Sequence, residues 1–271
     1  MKALLPSKRI PVPSSADALR SQQNSIQKLL KPLLDLTENS DYLIAGSVGE
    51  FRVGDNLFQI PRFTFIGPTG GGETIRLGIF AAIHGDEPEG TEAVIEFLEK
   101  LEKNSRFARG YHLYVYPVCN PTGFLAQTRE NSSGEDLSKH FWRGSWEPEI
   151  YYLERELGVL RFQGVISLHA KNHADAFLLG TNSEILNRDV IHPAIQATQK
   201  RLSATVLNAE PNKDLSEKFL TAGDELDPVP FELQFGIPRN APPLLQANGT
   251  IHLLNSILDS YRSFLSISQN L

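Results

Sequence analysis

A histidine, a carboxylate three residues later and a second histidine far downstream are residue types that can hold a metal ion without cysteine. His84-Gly85-Asp86-Glu87 directly follows the apolar run from Ile75 to Ile83, and His169 directly follows the apolar run from Gly164 to Leu168. Ligands in open α/β sheets gather beyond the carboxyl ends of strands. Two such strand ends can deliver His84, Glu87 and His169 to one ion, with Gly85 expected to let the backbone turn tightly between the first two. Zinc in catalytic sites commonly takes three ligands of this kind and keeps a fourth position for water. The single cysteine, Cys119, excludes both a cysteine-rich zinc site and an intramolecular disulfide. His173, four residues on, competes with His169 for the third place but would lie further into the loop, so His169 is favoured. Taken alone, His84 and Glu87 also fit a solvated acidic loop. His112, His140, His192 and His252 have structural or solvated settings.

A metal-bound water needs a base. Phe231-Glu232-Leu233-Gln234-Phe235 places a carboxylate within an apolar strand, where burial is costly unless the group is partnered. Glu232 is expected to face the water as general base, with a pKa moved by its surroundings. The bland alternative is a glutamate on the solvent side of an edge strand. Arg129 follows in a polar segment and suits stabilisation of a tetrahedral oxyanion through its rigid pair of donors; a lone arginine in such a loop is otherwise solvated. The expected chemistry is hydrolysis with one zinc per chain.

These residues need a scaffold of strand ends. Leu19, Ile26, Leu29, Leu30, Leu33 and Leu34 recur at helical spacing over 14–38, with Pro32 as a kink or end. Residues 48–66 alternate as strands of a hairpin. The run from Ile75 to Ile83 is apolar enough for a strand buried on both faces, and 88–103 follows as a helix with Pro88 in its first turn. Further strands are expected over 111–118, 164–168, 176–179 and 229–235, and helices over 147–158, 186–201 and 250–265. Alternating strands and helices imply an α/β fold with a mostly parallel central sheet flanked by helices on both faces. Residues 1–45 are expected to form an N-terminal arm and helix packed on the main domain, and 46–271 the catalytic domain. The chain has 271 residues, 41% of them hydrophobic, and a net charge of -6. That charge offers no basic face for nucleic acid and argues against adsorption to an anionic membrane. The apolar run near the N-terminus stops at Pro6, too short for a signal peptide, and no stretch approaches a membrane span. A cytoplasmic protein is expected, and no oligomeric state is read from these patterns.

In order along the chain, His84/Glu87, Asn120-Pro121-Thr122-Gly123-Phe124, Arg129, Ser167-Leu168-His169 and Phe231-Glu232-Leu233 resemble the zinc carboxypeptidase family over roughly residues 75–236. His-Gly-Asp-Glu is similar to the bacterial branch that trims cell-wall peptides. The resemblance implies a mixed, mostly parallel sheet between helices. It implies that His84, Glu87 and His169 bind zinc, that Glu232 is the general acid/base and that Arg129 polarises the scissile carbonyl, with Asn120 in a substrate-contacting segment. The family usually carries Asp-Leu-Asn-Arg after the arginine, where the Asn and Arg hold a terminal carboxylate; here Ser138 and Lys139 take those places in Asp136-Leu137-Ser138-Lys139. Lys139 keeps a positive charge but loses the planar fork, and Arg143 is a further candidate for an acidic group. No tyrosine lies between His169 and Glu232, where the family carries a mobile one. The implied substrate is a small peptide or an acyl amino acid. The succinylglutamate desuccinylase/aspartoacylase group shares the same ligand pattern, but its third-ligand motif is usually Asp-x-His and its base lies in Glu-Val-Gly. Ser167-Leu168-His169 and Phe231-Glu232-Leu233 therefore favour a metallocarboxypeptidase or amidase over an N-acyl amino acid deacylase. A non-catalytic zinc-bound ligand-binding protein is the alternative from another class.

Overall fold

The computed structural model describes residues 15–172, 176–181, 183–201, 209–211, 220–221, 226 and 229–268. Among them, eight strands form one sheet: β1 Leu43–Val53, β2 Asn56–Ile66, β3 Ile75–Phe80, β4 Tyr111–Tyr116, β5 Gly164–Lys171, β6 Phe177–Gly180, β7 Ala209–Pro211 and β8 Phe231–Pro238. Their spatial order is β1-β2-β4-β3-β5-β8-β6-β7. The four central strands, β4, β3, β5 and β8, run parallel. The β1–β2 hairpin adds antiparallel at one side, and β6 pairs antiparallel with β8 at the other. The mixed, mostly parallel α/β sheet expected from the sequence is what forms.

Helices cover both faces. α1 Ser15–Thr37, α2 Pro88–Lys103, α6 His192–Arg201 and α7 Pro243–Ser268 lie on one side. There Leu33, Phe97 and Leu254 join Leu77, Ile166 and Phe235 of the sheet in one apolar cluster. Ile150, Leu153 and Leu157 of α4 Pro148–Leu160 cover the other side against Phe80, Tyr116 and Val165. Two short helices complete the set, α3 Pro121–Ala126 and α5 Glu184–Leu186. Alternation along β5 follows from the period of two: Ile166 and Leu168 belong to the first cluster, Val165 to the second.

Several elements differ from expectation in extent. α1 runs through Pro32 to Thr37 without ending there, because buried Ile26, Leu30 and Leu33 dock both halves on one core. α7 begins at Pro243 instead of 250. The helix expected over 186–201 is composite, with a π turn at Asn187–Ile191 between α5 and α6. The expected irregular arm over 1–13 lies outside the described residues. No helix among the described residues is long and apolar enough to cross a membrane.

Candidate metal centre

The carboxyl end of β3 carries the first two residues of the site. Beyond Phe80 the chain leaves the strand through Ala82, whose φ of 48° puts a non-glycine residue in the left-handed region, a conformation that costs about 1 kcal/mol. Backbone bonds from Cys119 N to Ala81 O (3.0 Å) and from Asn120 N to Ala82 O (2.9 Å) hold it there. Gly85 is required for space: a Cβ would sit 2.1 Å from the carbonyl carbon of Gly123. The chain turns tightly at Gly85, as expected, and does so without a positive φ there. Glu87 N donates to His84 O (3.2 Å) to close the turn, and Pro88 starts α2 directly after Glu87.

His169 comes from β5, next to β3 in the sheet. His84, Glu87 and His169 are all buried and converge, their ligand atoms lying within 4.8 Å of one another. His84 Nδ1 is 3.1 Å from Glu87 Oε1, and His169 Nδ1 is 3.4 Å from Glu87 Oε2. The two imidazole rings are 5.2 Å apart. Glu87 Oε2 and His169 Nδ1 are buried and make no hydrogen bond. Buried polar atoms are normally satisfied, so two ligand atoms 3.4 Å apart without a hydrogen bond suit a cation shared between them. The electrostatics point the same way. Burial pushes the His84 imidazolium down, but Asp136 and Glu87 outweigh it and raise its pKa to about 9. Burial pushes the Glu87 carboxyl up, but His169 and His84 hold it well below the usual carboxylate range. The pocket demands positive charge, which protons or a divalent ion can supply, and the His-Glu-His donor set suits zinc.

Asp136 is a member of the site that spacing alone did not reveal. It is buried, and its Oδ1 faces His84 Nε2 at 3.4 Å. Ser138 Oγ donates to the same oxygen (2.7 Å), while Arg129 Nε (3.0 Å) and Lys139 Nζ (3.1 Å) meet Oδ2. Burial pushes the Asp136 carboxyl up; His84, Ser138, Lys139 and Arg129 together hold it well below the usual range. It also caps the short turn Leu137–Lys139 by accepting from Ser138 N, with a cation three residues on.

The structure brings Arg129 and Lys139 to this centre, and gives other expected residues different duties. Asn120 is fully buried and its side chain is used inside the chain. Its Oδ1 accepts from Gly123 N (2.9 Å) and its Nδ2 reaches Ile83 O (3.4 Å), so it caps α3 and ties that helix to the loop that carries His84. Ser138 is likewise buried and bonded to Asp136. Arg143 is exposed. His173 lies outside the described residues.

Glu232 is fully buried, on the same sheet face as His169. The β5–β8 register places Glu232 opposite Val165, Gln234 opposite Ser167 and Gly236 opposite His169. At about 3.3 Å per residue, Glu232 starts about 13 Å back along the strand from the level of His169, and Gln234 about 7 Å. The Glu232 carboxylate accepts from Leu220 N (2.9 Å), Thr221 N (2.8 Å) and Thr221 Oγ1 (2.9 Å). Leu220 is itself held by Trp142 Nε1 on its carbonyl (2.6 Å). Burial raises the Glu232 pKa and these donors lower it again, leaving it at about 7. Gln234, also buried, is the polar side chain of β8 that stands between Glu232 and the His169 level; periodicity gave no means of distinguishing the two.

Residues 73–159 match the family model "Succinylglutamate desuccinylase/Aspartoacylase catalytic domain". A search of curated protein sequences gave no significant match. Among solved structures, a metallo-carboxypeptidase from Burkholderia cenocepacia superposes with a TM-score of 0.69 at 15% identity, over 86% of this chain and 68% of that one. Bovine thrombin-activatable fibrinolysis inhibitor, solved in complex with tick carboxypeptidase inhibitor, gives 0.69 at 12% identity, over 92% and 97%. A Pseudomonas aeruginosa metallo-carboxypeptidase in complex with (2-guanidinoethylmercapto)succinic acid gives 0.63 at 15% identity, over 87% and 68%. The chain therefore has the zinc carboxypeptidase fold and is similar, over residues 73–159, to the succinylglutamate desuccinylase/aspartoacylase catalytic domain.

Proposed function

We propose that the chain is a zinc-dependent hydrolase of a peptide or peptide-like amide that carries an anionic group. The observation that carries this is the convergence of His84, Glu87 and His169, buried and within 4.8 Å of one another, at the carboxyl ends of adjacent parallel strands. A zinc ion held there would supply a Lewis acid and an acidified water. Asp136, against His84 Nε2, fixes the ring so that Nδ1 is left for the metal side. Arg129 and Lys139, both leaning on Asp136 Oδ2 and both partly exposed, bring two cations to the rim, where they attract a substrate carboxylate and a developing oxyanion. Glu232, with its pKa near 7, is the group of this sheet face suited to take a proton at neutral pH. The test is metal content of the purified protein beside His169→Ala. One zinc per chain in the wild type and none in the variant supports the reading; a wild type that takes up no zinc overturns it.

Two observations favour other readings of the same centre. The match of residues 73–159 favours an N-acyl amino acid deacylase, and a panel setting C-terminal peptide release against N-acyl amino acid hydrolysis separates the two substrates. Gln234 at the level nearest His169, with Glu232 anchored by three donors behind it, favours a zinc-bound protein that binds such a ligand without hydrolysing it. That protein would show no turnover on either substrate and would gain it in Gln234→Glu, whereas the hydrolase reading expects turnover in the wild type and its loss in Glu232→Gln.

A further inference from the structure

Two of the three proposed ligands sit on the loop after β3 and the third on β5, so something must fix the loop against the strand. Arg239, the first residue after β8, belongs to neither segment and touches both. Its backbone N donates to Lys171 O (3.1 Å), and Gln246 Nε2 donates to its carbonyl (3.0 Å). With its main chain held on both sides, its guanidinium divides among three anchors. Nη2 donates to Asp86 O (2.6 Å), between His84 and Glu87. Nε meets Glu89 Oε1 (2.9 Å) in the first turn of α2. Nη1 reaches Asn172 Oδ1 (3.4 Å), three residues beyond His169. The side chain is 27% exposed and that of Glu89 13%, so the ion pair is largely shielded from water.

We propose that Arg239 is a positioning residue for the metal, a cross-brace that sets the His84–Glu87 loop at a fixed separation from His169. This rests on the metal reading above. The rigid planar fork is what the task needs, because one guanidinium can serve three directions at once. A lysine places a single charge at one of them. The brace leaves the ligand atoms untouched, so its loss should loosen the triangle without removing a corner.

Zinc affinity, measured by competition with a chromophoric chelator, tests this on wild type, Arg239→Lys and Arg239→Ala, with Arg188→Ala as control. Arg188, itself exposed, pairs with its neighbour Asp189 in the π turn that follows α5. Loss of a partner behind the ligands typically weakens metal binding about 10- to 100-fold. Arg239→Ala should fall in that range, Arg239→Lys between it and wild type, and Arg188→Ala at the wild-type value. The visible spectrum of the cobalt-loaded protein should change in band position or intensity in Arg239→Ala, which a loss of global stability alone would not produce. Glu89→Gln, which keeps Arg239 but removes its charge partner, should shift affinity in the same direction. Wild-type affinity and an unchanged cobalt spectrum in both Arg239→Ala and Glu89→Gln overturn the brace while leaving the metal reading intact. A wild type that binds neither zinc nor cobalt overturns both.

Discussion

At the scale of single residues, the centre divides into groups that hold the proposed metal and groups that act beside it, and substitution should separate them. Asp136→Asn should keep the fold but weaken zinc about 10- to 100-fold, read by chelator competition, because it frees His84 to rotate. Arg129→Ala should lower kcat more than it raises KM if the guanidinium acts on the oxyanion; an equal effect on both would make it a ground-state contact. Glu232→Gln should retain zinc and lose turnover about a hundred- to ten-thousand-fold. A base works only when deprotonated, so kcat/KM of the wild type should climb with pH up to about 7 and level off above it. That acid limb should vanish in Glu232→Gln. The convergence of His84, Glu87 and His169 was legible in the sequence because each follows an apolar run that had to end at the same edge of the sheet. Asp136 was not, because an aspartate that caps a turn looks the same whether or not an imidazole stands behind it. Asn120's structural part was equally silent: its burial and its cap on α3 are visible only once the chain is folded.

At the scale of elements, the continuous apolar runs were the most readable feature. The run from Ile75 and the run from Gly164 are both central parallel strands, and the helix after Pro88 ends where expected, at Lys103. β7 and the π turn at Asn187–Ile191 escaped because segments of three to five residues carry too little periodicity. Strand register escaped for a deeper reason. Glu232 and Gln234 are two apart, hence on one face, and a period of two cannot say which stands level with His169. The loop elements are fixed by backbone proximity, which is just as silent in a periodicity plot. Gly85→Ala should therefore destabilise by about 3 kcal/mol in a denaturant titration, since its Cβ would meet the Gly123 backbone at 2.1 Å. A loss below 0.5 kcal/mol would mean that the two loops can part.

At the scale of the whole molecule, α1 shares one apolar cluster with α2, α7 and the sheet, so Leu33→Ala should cost about 2–5 kcal/mol and leave a single unfolding transition. A separate early transition would make the N-terminal helix an independent unit. The adjacency of β3 and β5 has a last consequence. Phe80 lies opposite Ser167, and that pairing alone sends His169 to the face where Glu87 waits. A slip of one residue in β5 would turn His169 to the opposite side of the sheet. Chains folded out of register would then present one imidazole where the ion needs two. Uptake of the proposed zinc would thus report strand alignment, because only molecules whose central sheet has closed correctly offer both imidazoles.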